Sequence, residues 1–211
     1  MLNMRRILAI SLSLMMLMTS GAALCEAAPE IHVEMEEVLS DDYKQSAIVH
    51  ARDAGGNELW TYETGHYEST ELSGISGIGV FGNAYYMVED GAVVALDINS
   101  GEVLWRNGDF GGASAVGAFG DDGTLFLCGF YGPDIFAVSA DGVTLGRIEQ
   151  ASTDYYWPVS LRLEGEEVLI GMSGTPEGDA GNQPVEIGVA LADLWASAPG
   201  ATVAHEMAMR V

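Results

Sequence analysis

The chain has 211 residues with 31 acidic against 8 basic side chains, a formal charge of −23 at neutral pH. So strong a negative balance excludes DNA, RNA and anionic membrane surfaces as partners, because each rewards lysine and arginine. It favours solubility and leaves room for cations or basic partners.

Arg5 and Arg6 precede an apolar run from Ile7 to Met18, and small residues follow at 19–23. This order of basic, apolar and small segments reads as a signal peptide over residues 1–27, and the run is too short for an ordinary spanning helix. Cleavage is expected after Gly21-Ala-Ala23 or after Cys25-Glu-Ala27, placing the mature protein in the periplasm, at the cell surface or outside the cell. Removing residues 1–27 takes away Arg5, Arg6 and Glu26, leaving 30 acidic and 6 basic residues and a formal charge of −24. Gly21-Ala-Ala-Leu-Cys25 resembles a lipobox, but Leu24 is bulky where a small residue is expected, which disfavours lipid anchoring at Cys25. Cys128 lies in the apolar run 124–129 and reads as a small core hydrophobe. Two cysteines do not make a disulfide framework.

Residues 28–45 form an acidic N-terminal segment, within which Ile31–Met35 alternates as an edge strand would. The first repeat unit, about 46–65, pairs Ser46–Ala51 with Glu58–Tyr62 across a turn at 53–57. The second, 74–107, has strands at 74–81, 84–88, 93–96 and 102–106, separated by turns at Gly82-Asn83, Glu89-Asp90-Gly91 and Asp97–Gly101. The third, 113–149, repeats that order with strands at 113–119, 124–128, 135–138 and 143–148. Its Asp-Asp-Gly and Asp-Gly turns are hairpin signals, and another turn is expected at 131–134. The fourth, 157–195, has strands at 157–163, 167–171 and 185–190, with a long surface loop at 173–184. Beyond Asp193 the pattern fades, and the tail 196–211 has no assigned fold.

One hairpin recurs. Ala95, Asp97, Gly101 and Trp105 are echoed by Ala51, Asp53, Gly56 and Trp60, and in reduced form by Ala137, Ser139, Gly142 and Gly146. The alanines are 44 and 42 residues apart, a period that points to propeller blades. Tryptophans at this place are expected to cover a neighbouring blade, glycines to take positive φ, and aspartates to accept backbone N–H groups inside their turns. Trp105, flanked on both sides, is expected to matter more to stability than Trp60.

The hairpin resembles the repeat of the pyrroloquinoline-quinone-like (PQQ-like) β-propellers, whose signature is Ala-x-Asp-x-x-x-Gly-x-x-x-Trp. The second unit matches every position, and the first matches with a turn one residue shorter. The resemblance implies an all-β β-propeller of about four antiparallel four-stranded blades, partial or open. It implies the non-enzymatic branch of the family as well. The quinone enzymes of the family have larger discs, an axial cofactor, calcium and an adjacent cysteine pair, which this chain lacks. The expected role is a binding or scaffold module for a protein or cell-envelope component, with self-association through open propeller edges. A quinone- or calcium-dependent oxidoreductase fragment is the alternative.

No catalytic, cofactor-binding or metal residues are assigned, and no cofactor is expected. His32, His50, His66 and His205 are scattered, and no Gly-x-Ser-x-Gly, His-Glu-x-x-His or phosphate-binding glycine loop is present. Asp121, Asp122 and Asp134 lack the alternating spacing of a calcium loop. The acidic loops Glu164–Glu167 and Glu177–Asp179 read as solvated surface that a basic partner could meet.

Overall fold

The computed structural model describes residues 30–39, 44–68, 74–130, 135–149, 157–173, 185–197 and 208–210. From Ile31 onward the chain forms one compact unit. Its described residues make four antiparallel sheets in chain order, the all-β architecture expected from the repeats.

Sheet I contains β1 (His32–Leu39), β2 (Lys44–Arg52) and an outer edge made of β3 (Glu58–Glu63) and the short β4 (Tyr67–Glu68), both paired with β2. Sheet II runs β5 (Ile75–Phe81), β6 (Ala84–Glu89), β7 (Ala92–Asp97) and β8 (Val103–Asn107). Sheet III runs β9 (Ala113–Phe119), β10 (Leu125–Phe130), β11 (Ile135–Val138) and β12 (Thr144–Ile148). Sheet IV runs β13 (Trp157–Glu164), β14 (Glu167–Ser173), β15 (Val185–Ala190) and β16 (Ala208–Arg210), with the helix α1 (Leu191–Ala196) following β15. The first strand of each sheet packs beside the first strand of the next: β1 on β5, β5 on β9, and β9 on β13. Among the described residues no closed ring is seen.

Strand alternation explains how one sequence serves two neighbours. In β6, Tyr85 and Met87 enter the core shared with sheet I, while Tyr86 and Val88 enter the core shared with sheet III. In β10, Leu125 and Leu127 face sheet II, and Phe126 and Cys128 face sheet IV. Middle strands therefore bury both faces and read as nearly continuous apolar runs. A one-residue slip would exchange the two cores, so the pattern holds the register.

Two expectations gain detail. The edge strand expected at Ile31–Met35 is present as β1, which runs on to Leu39 with all eight of its residues paired to β2. Ile31, Val33 and Met35 pack against the I–II core. On the other face Glu34 meets Arg52 at 2.5 Å, and Glu36 lies on the same side, whereas Glu37 follows Met35 on the core-side parity at the exposed end of the strand. The tail also holds structure: Ala208–Arg210 pairs with Gly188, Ile187 and Glu186 of β15, supplying a fourth strand that the faded repeat did not announce. The expected turn at 131–134 and most of the loop at 173–184 lie outside the described residues, as do residues 1–29 and His205.

The hairpin motif has the same geometry three times. Ala51 faces Trp60, Ala95 faces Trp105, and Ala137 faces Gly146 across the ladder, each with a register shift directly after the alanine. Asp97 Oδ1 accepts the N–H groups of Asn99 and Ser100, and Asp53 Oδ1 those of Gly55 and Asn57. Ser139 Oγ accepts Val143 N–H in the third copy, doing the aspartate's work with a hydroxyl. Gly56, Gly101 and Gly142 have φ of 79°, 74° and 81°, the left-handed region that disfavours side chains.

Each repeat tryptophan reaches the turn of the following sheet. Trp60 Nε1 donates to Ile98 O at 2.7 Å, and Trp105 Nε1 donates to Ala140 O at 2.8 Å. A β-carbon on Gly101 would stand 2.6 Å from Trp60 Cε3, and one on Gly142 would stand 2.6 Å from Trp105 Cδ2. The indole thus lies flat on the glycine. Between sheets III and IV the device is inverted. Gly146 occupies the tryptophan position, and a β-carbon there would be 2.5 Å from Leu194 O of α1. Leu194, fully buried, fills from sheet IV the space that an indole fills at the other two junctions.

Candidate functional site

Two polar constellations and one cleft compete as sites. The first is centred on Glu89, which is only 2% exposed. It ends β6 just before Asp90-Gly91, whose φ values of 51° and 74° make the two-residue turn that starts β7. Glu89 Oε1 accepts Gly65 N–H at 2.9 Å and Tyr67 O–H at 2.7 Å, while Oε2 accepts Tyr62 O–H at 2.9 Å and Arg106 Nη1 at 2.6 Å. Burial raises the carboxyl, but the Tyr67, Gly65, Arg106 and Tyr62 donors outweigh it and hold Glu89 below the usual glutamate range. Burial, then the bond to Glu89, pushes Tyr62 and Tyr67 up to about 12. Every oxygen of the carboxylate is occupied by protein donors, so the group joins sheets I and II and offers nothing to a ligand.

The second constellation holds the connection between sheets II and III. Arg147 donates to the carbonyls of Asp109 and Phe110 and to Glu149, while Thr144 Oγ1 donates to Asp109 Oδ2 at 2.6 Å. Arg106 and Arg147 are 41 residues apart, the same interval as Gly101 and Gly142, and each follows the last position of the hairpin motif. Arg147 bonds the connector that enters sheet III directly, whereas Arg106 holds Glu89, which in turn accepts Gly65 N–H of the connector that enters sheet II. They are structural staples that the motif reading missed, and the shared interval was the signal that could have found them.

The cleft lies between sheets III and IV and has a volume of about 580 Å³, a size suited to a small ligand or a few residues of peptide. Its apolar wall is Phe119, Phe126, Leu161, Leu163 and Leu191, and Trp195 stands over Phe126 with ring centroids 5.7 Å apart. Trp195 is 44% exposed, so a broad indole face remains available. The sequence placed Trp195 outside the repeat, and it does lie outside it, on α1.

The polar wall is Asp121, Asp122 and Arg162. The turn carrying the aspartates is closed by Gly120 N–H on Thr124 O and Gly123 N–H on Gly120 O, with Gly123 at φ 84°. Asp122 Oδ1 accepts Thr124 N–H at 2.9 Å, which holds its carboxyl below the usual aspartate range. Asp121 is exposed and has no partner among the described residues. Arg162 is already engaged by Glu164 and, at 2.8 Å, by Glu186. The cleft therefore presents two carboxylates and an aromatic face, with its one arginine neutralised.

The α1 end of the cleft is anchored from both sides. Leu191 N–H donates to Glu166 O at 2.8 Å, and Ser197 Oγ accepts Arg147 N–H at 2.9 Å while donating to Leu194 O at 2.6 Å.

The sequence considered Asp121, Asp122 and Asp134 together. Asp134 lies outside the described residues, and among the described residues no group of three or more histidine, cysteine, aspartate or glutamate side chains is placed to hold a metal ion. His50 Nδ1 lies 2.9 Å from Glu58 Oε2 on the outer face of sheet I, far in the chain from the cleft residues. His32 and His66 are exposed and lie outside the cleft. Cys128 is buried in the III–IV core, as its apolar run suggested. Of the acidic loops, Glu164–Glu167 borders the cleft through Gly165, and Glu177–Asp179 lies outside the described residues. Among the described residues no helix is long and apolar enough to cross a membrane.

No protein-family model and no curated protein matches the chain. Among solved structures, the crystal structure at 1.35 Å resolution of a protein of unknown function from Bacteroides caccae is similar over 75% of this chain, at 14% identity and a TM-score of 0.44. The match spans 64% of the length of that protein.

Proposed function

We propose that this is an exported, PQQ-like propeller-type repeat protein whose role is to bind a partner. The four sheets are taken as blades of a partial propeller that serves as a rigid scaffold. Supporting the blade reading are the recurrent hairpin, its repeated register shift, and the adjacency of successive first strands. The leader-like residues 1–27 support export. The observation that carries the binding role is the cleft between sheets III and IV, where an exposed tryptophan and two carboxylates converge on a surface held by a turn, a strand and a helix. Loops and helix ends on a rigid frame are the usual places for recognition.

The test is a binding screen on an array of peptides of varied composition, run with wild type and Trp195→Ala. The expected result is a set of peptides whose signal depends on Trp195. Absence of any such peptide, or a stoichiometric quinone in the absorption spectrum of the purified protein, would overturn the proposal in favour of another surface or of redox chemistry.

A further inference from the structure

We infer that the III–IV cleft takes the side chain of a lysine or arginine presented by a basic segment of a partner protein. The cationic head lies against Asp121 and Asp122, and the aliphatic stem lies along Trp195. This rests on the binding role proposed above and adds the chemistry of the occupant.

Three observations converge on a cation. Asp121 has no partner among the described residues, and Asp122 is held by the N–H and hydroxyl of Thr124, so two carboxylates stand on the cleft wall with no basic side chain paired to them among the described residues. Arg162, the cation that could have neutralised them, is held by Glu164 and Glu186. The indole of Trp195 is exposed at the same opening, and an indole face attracts lysine and arginine more than any other aromatic surface does. The apolar wall accounts for the stem. Long basic side chains bury their methylenes while the head seeks polar groups, and Leu163 and Leu191 line the path beside the indole. An anion would meet two carboxylates. A wholly apolar group would leave them desolvated and unpaired, at a cost.

A polypeptide source is favoured over a free small cation by size and by charge. The cleft's 580 Å³ exceeds the need of one ammonium group, and a chain of net charge −23 draws a basic protein surface to it over longer range than one contact spans.

The experiment uses the full chain and a short fluorescein-labelled Gly/Ser peptide carrying spaced lysines, read by polarisation at moderate salt. Its counterparts carry norleucine or glutamate in place of lysine, and spermidine is the competitor. The variants are Asp121→Asn/Asp122→Asn, Trp195→Ala and, as a charge-matched control on remote exposed positions, Glu37→Gln/Glu102→Gln. The carboxamide that replaces the Asp122 carboxylate can still accept the Thr124 N–H, so the turn survives the substitution, and a thermal melt of each variant confirms folding.

The lysine peptide is expected to bind and its two counterparts to fail. The Asp121/Asp122 variant and Trp195→Ala are each expected to lose about tenfold in affinity, with the control within about twofold. Equal losses in the two charge variants would mean diffuse surface attraction and overturn the inference. So would glutamate- or norleucine-peptide binding as tight as that of lysine, or displacement by spermidine at the peptide's own affinity. Trp195-dependent peptides from the array that lack lysine and arginine would sink this inference while leaving the binding role standing.

Discussion

Glu89 shows how a single buried charge can be tolerated and made useful. Removing an ionised carboxylate from water is costly unless donors replace the water, and here four do. Because the folded carboxyl is held below its ordinary value, the stability it contributes is present at neutral pH, above the unfolded glutamate range. It is lost as pH falls through the folded value. Glu89→Gln is expected to cost about 3 kcal/mol at pH 7 and to flatten the acid dependence of stability, measured by urea melts at pH 7 and in the mildly acidic range below 4.5. Parallel acid curves for the two proteins would show that Glu89 carries none of that dependence. The repeat tryptophans are also ranked at this scale, and against the sequence expectation. Trp60 is 9% exposed and belongs to the buried I–II core, whereas Trp105 is only partly buried. Trp60→Ala should therefore cost about 3–5 kcal/mol and Trp105→Ala less, read from denaturant midpoints. Burial thus ranks the two tryptophans in the opposite order to their position in the array, although both lie on equivalent glycine turns.

At the scale of elements, the III–IV junction exchanges one large group for another. Where junctions I–II and II–III press an indole onto a glycine, junction III–IV presses Leu194 of α1 toward Gly146. Restoring the motif by Gly146→Trp is thus expected to destabilise the protein, by at least about 1–3 kcal/mol, because the indole would meet the α1 backbone. Leu194→Ala should cost about 2–5 kcal/mol through the cavity it leaves. Thermal melts of both variants check the pair. A Gly146→Trp protein more stable than wild type would show that α1 does not hold that place in solution. α1 also gives the cleft its shape, since it carries Leu191 and Trp195 at the height where the other sheets have only a tight turn.

At the scale of the whole molecule, the outer face of sheet I is largely charged among its described residues, with Val38 and Ile48 between the charges. Glu34, Glu36, His50, Arg52 and Glu58 lie on it, with Arg52 bonded to Glu34 and His50 to Glu58. Sheet IV carries the Arg162 pairs with Glu164 and Glu186. Repeat arrays keep their end units apart in this way, with charge where an inner unit would have apolar residues. Among the described residues of that face the charged side chains interrupt the half-buried apolar ones, Val38 and Ile48, so no continuous apolar surface is offered for association there. Residues 28–211 are expected to run as a monodisperse monomer in light scattering, and Glu34→Leu/Arg52→Leu to associate. A wild-type dimer that the double substitution leaves unchanged would place self-association elsewhere.

The local part of this protein was legible in its residues. Short apolar runs bounded by Gly, Asn and Asp turns marked the strands from β5 to β15, because the middle strands bury both faces against neighbouring sheets. The Ala-Asp-Gly-Trp spacing marked a hairpin whose turn chemistry is complete within its own few residues. β1 was blurred because the glutamates of its solvent face outweighed Ile31, Val33 and Met35 in composition. β16 was invisible because a three-residue edge strand draws its order from the strand it joins. The cleft was less legible still. Gly120–Gly123 and Gly165 could be read as turns and Trp195 as a tryptophan out of place, but their meeting depends on sheets III and IV packing together. Side chains from β9–β10, β13 and α1 become one site only through that packing, which is a property of the assembled cores and of no single stretch of chain.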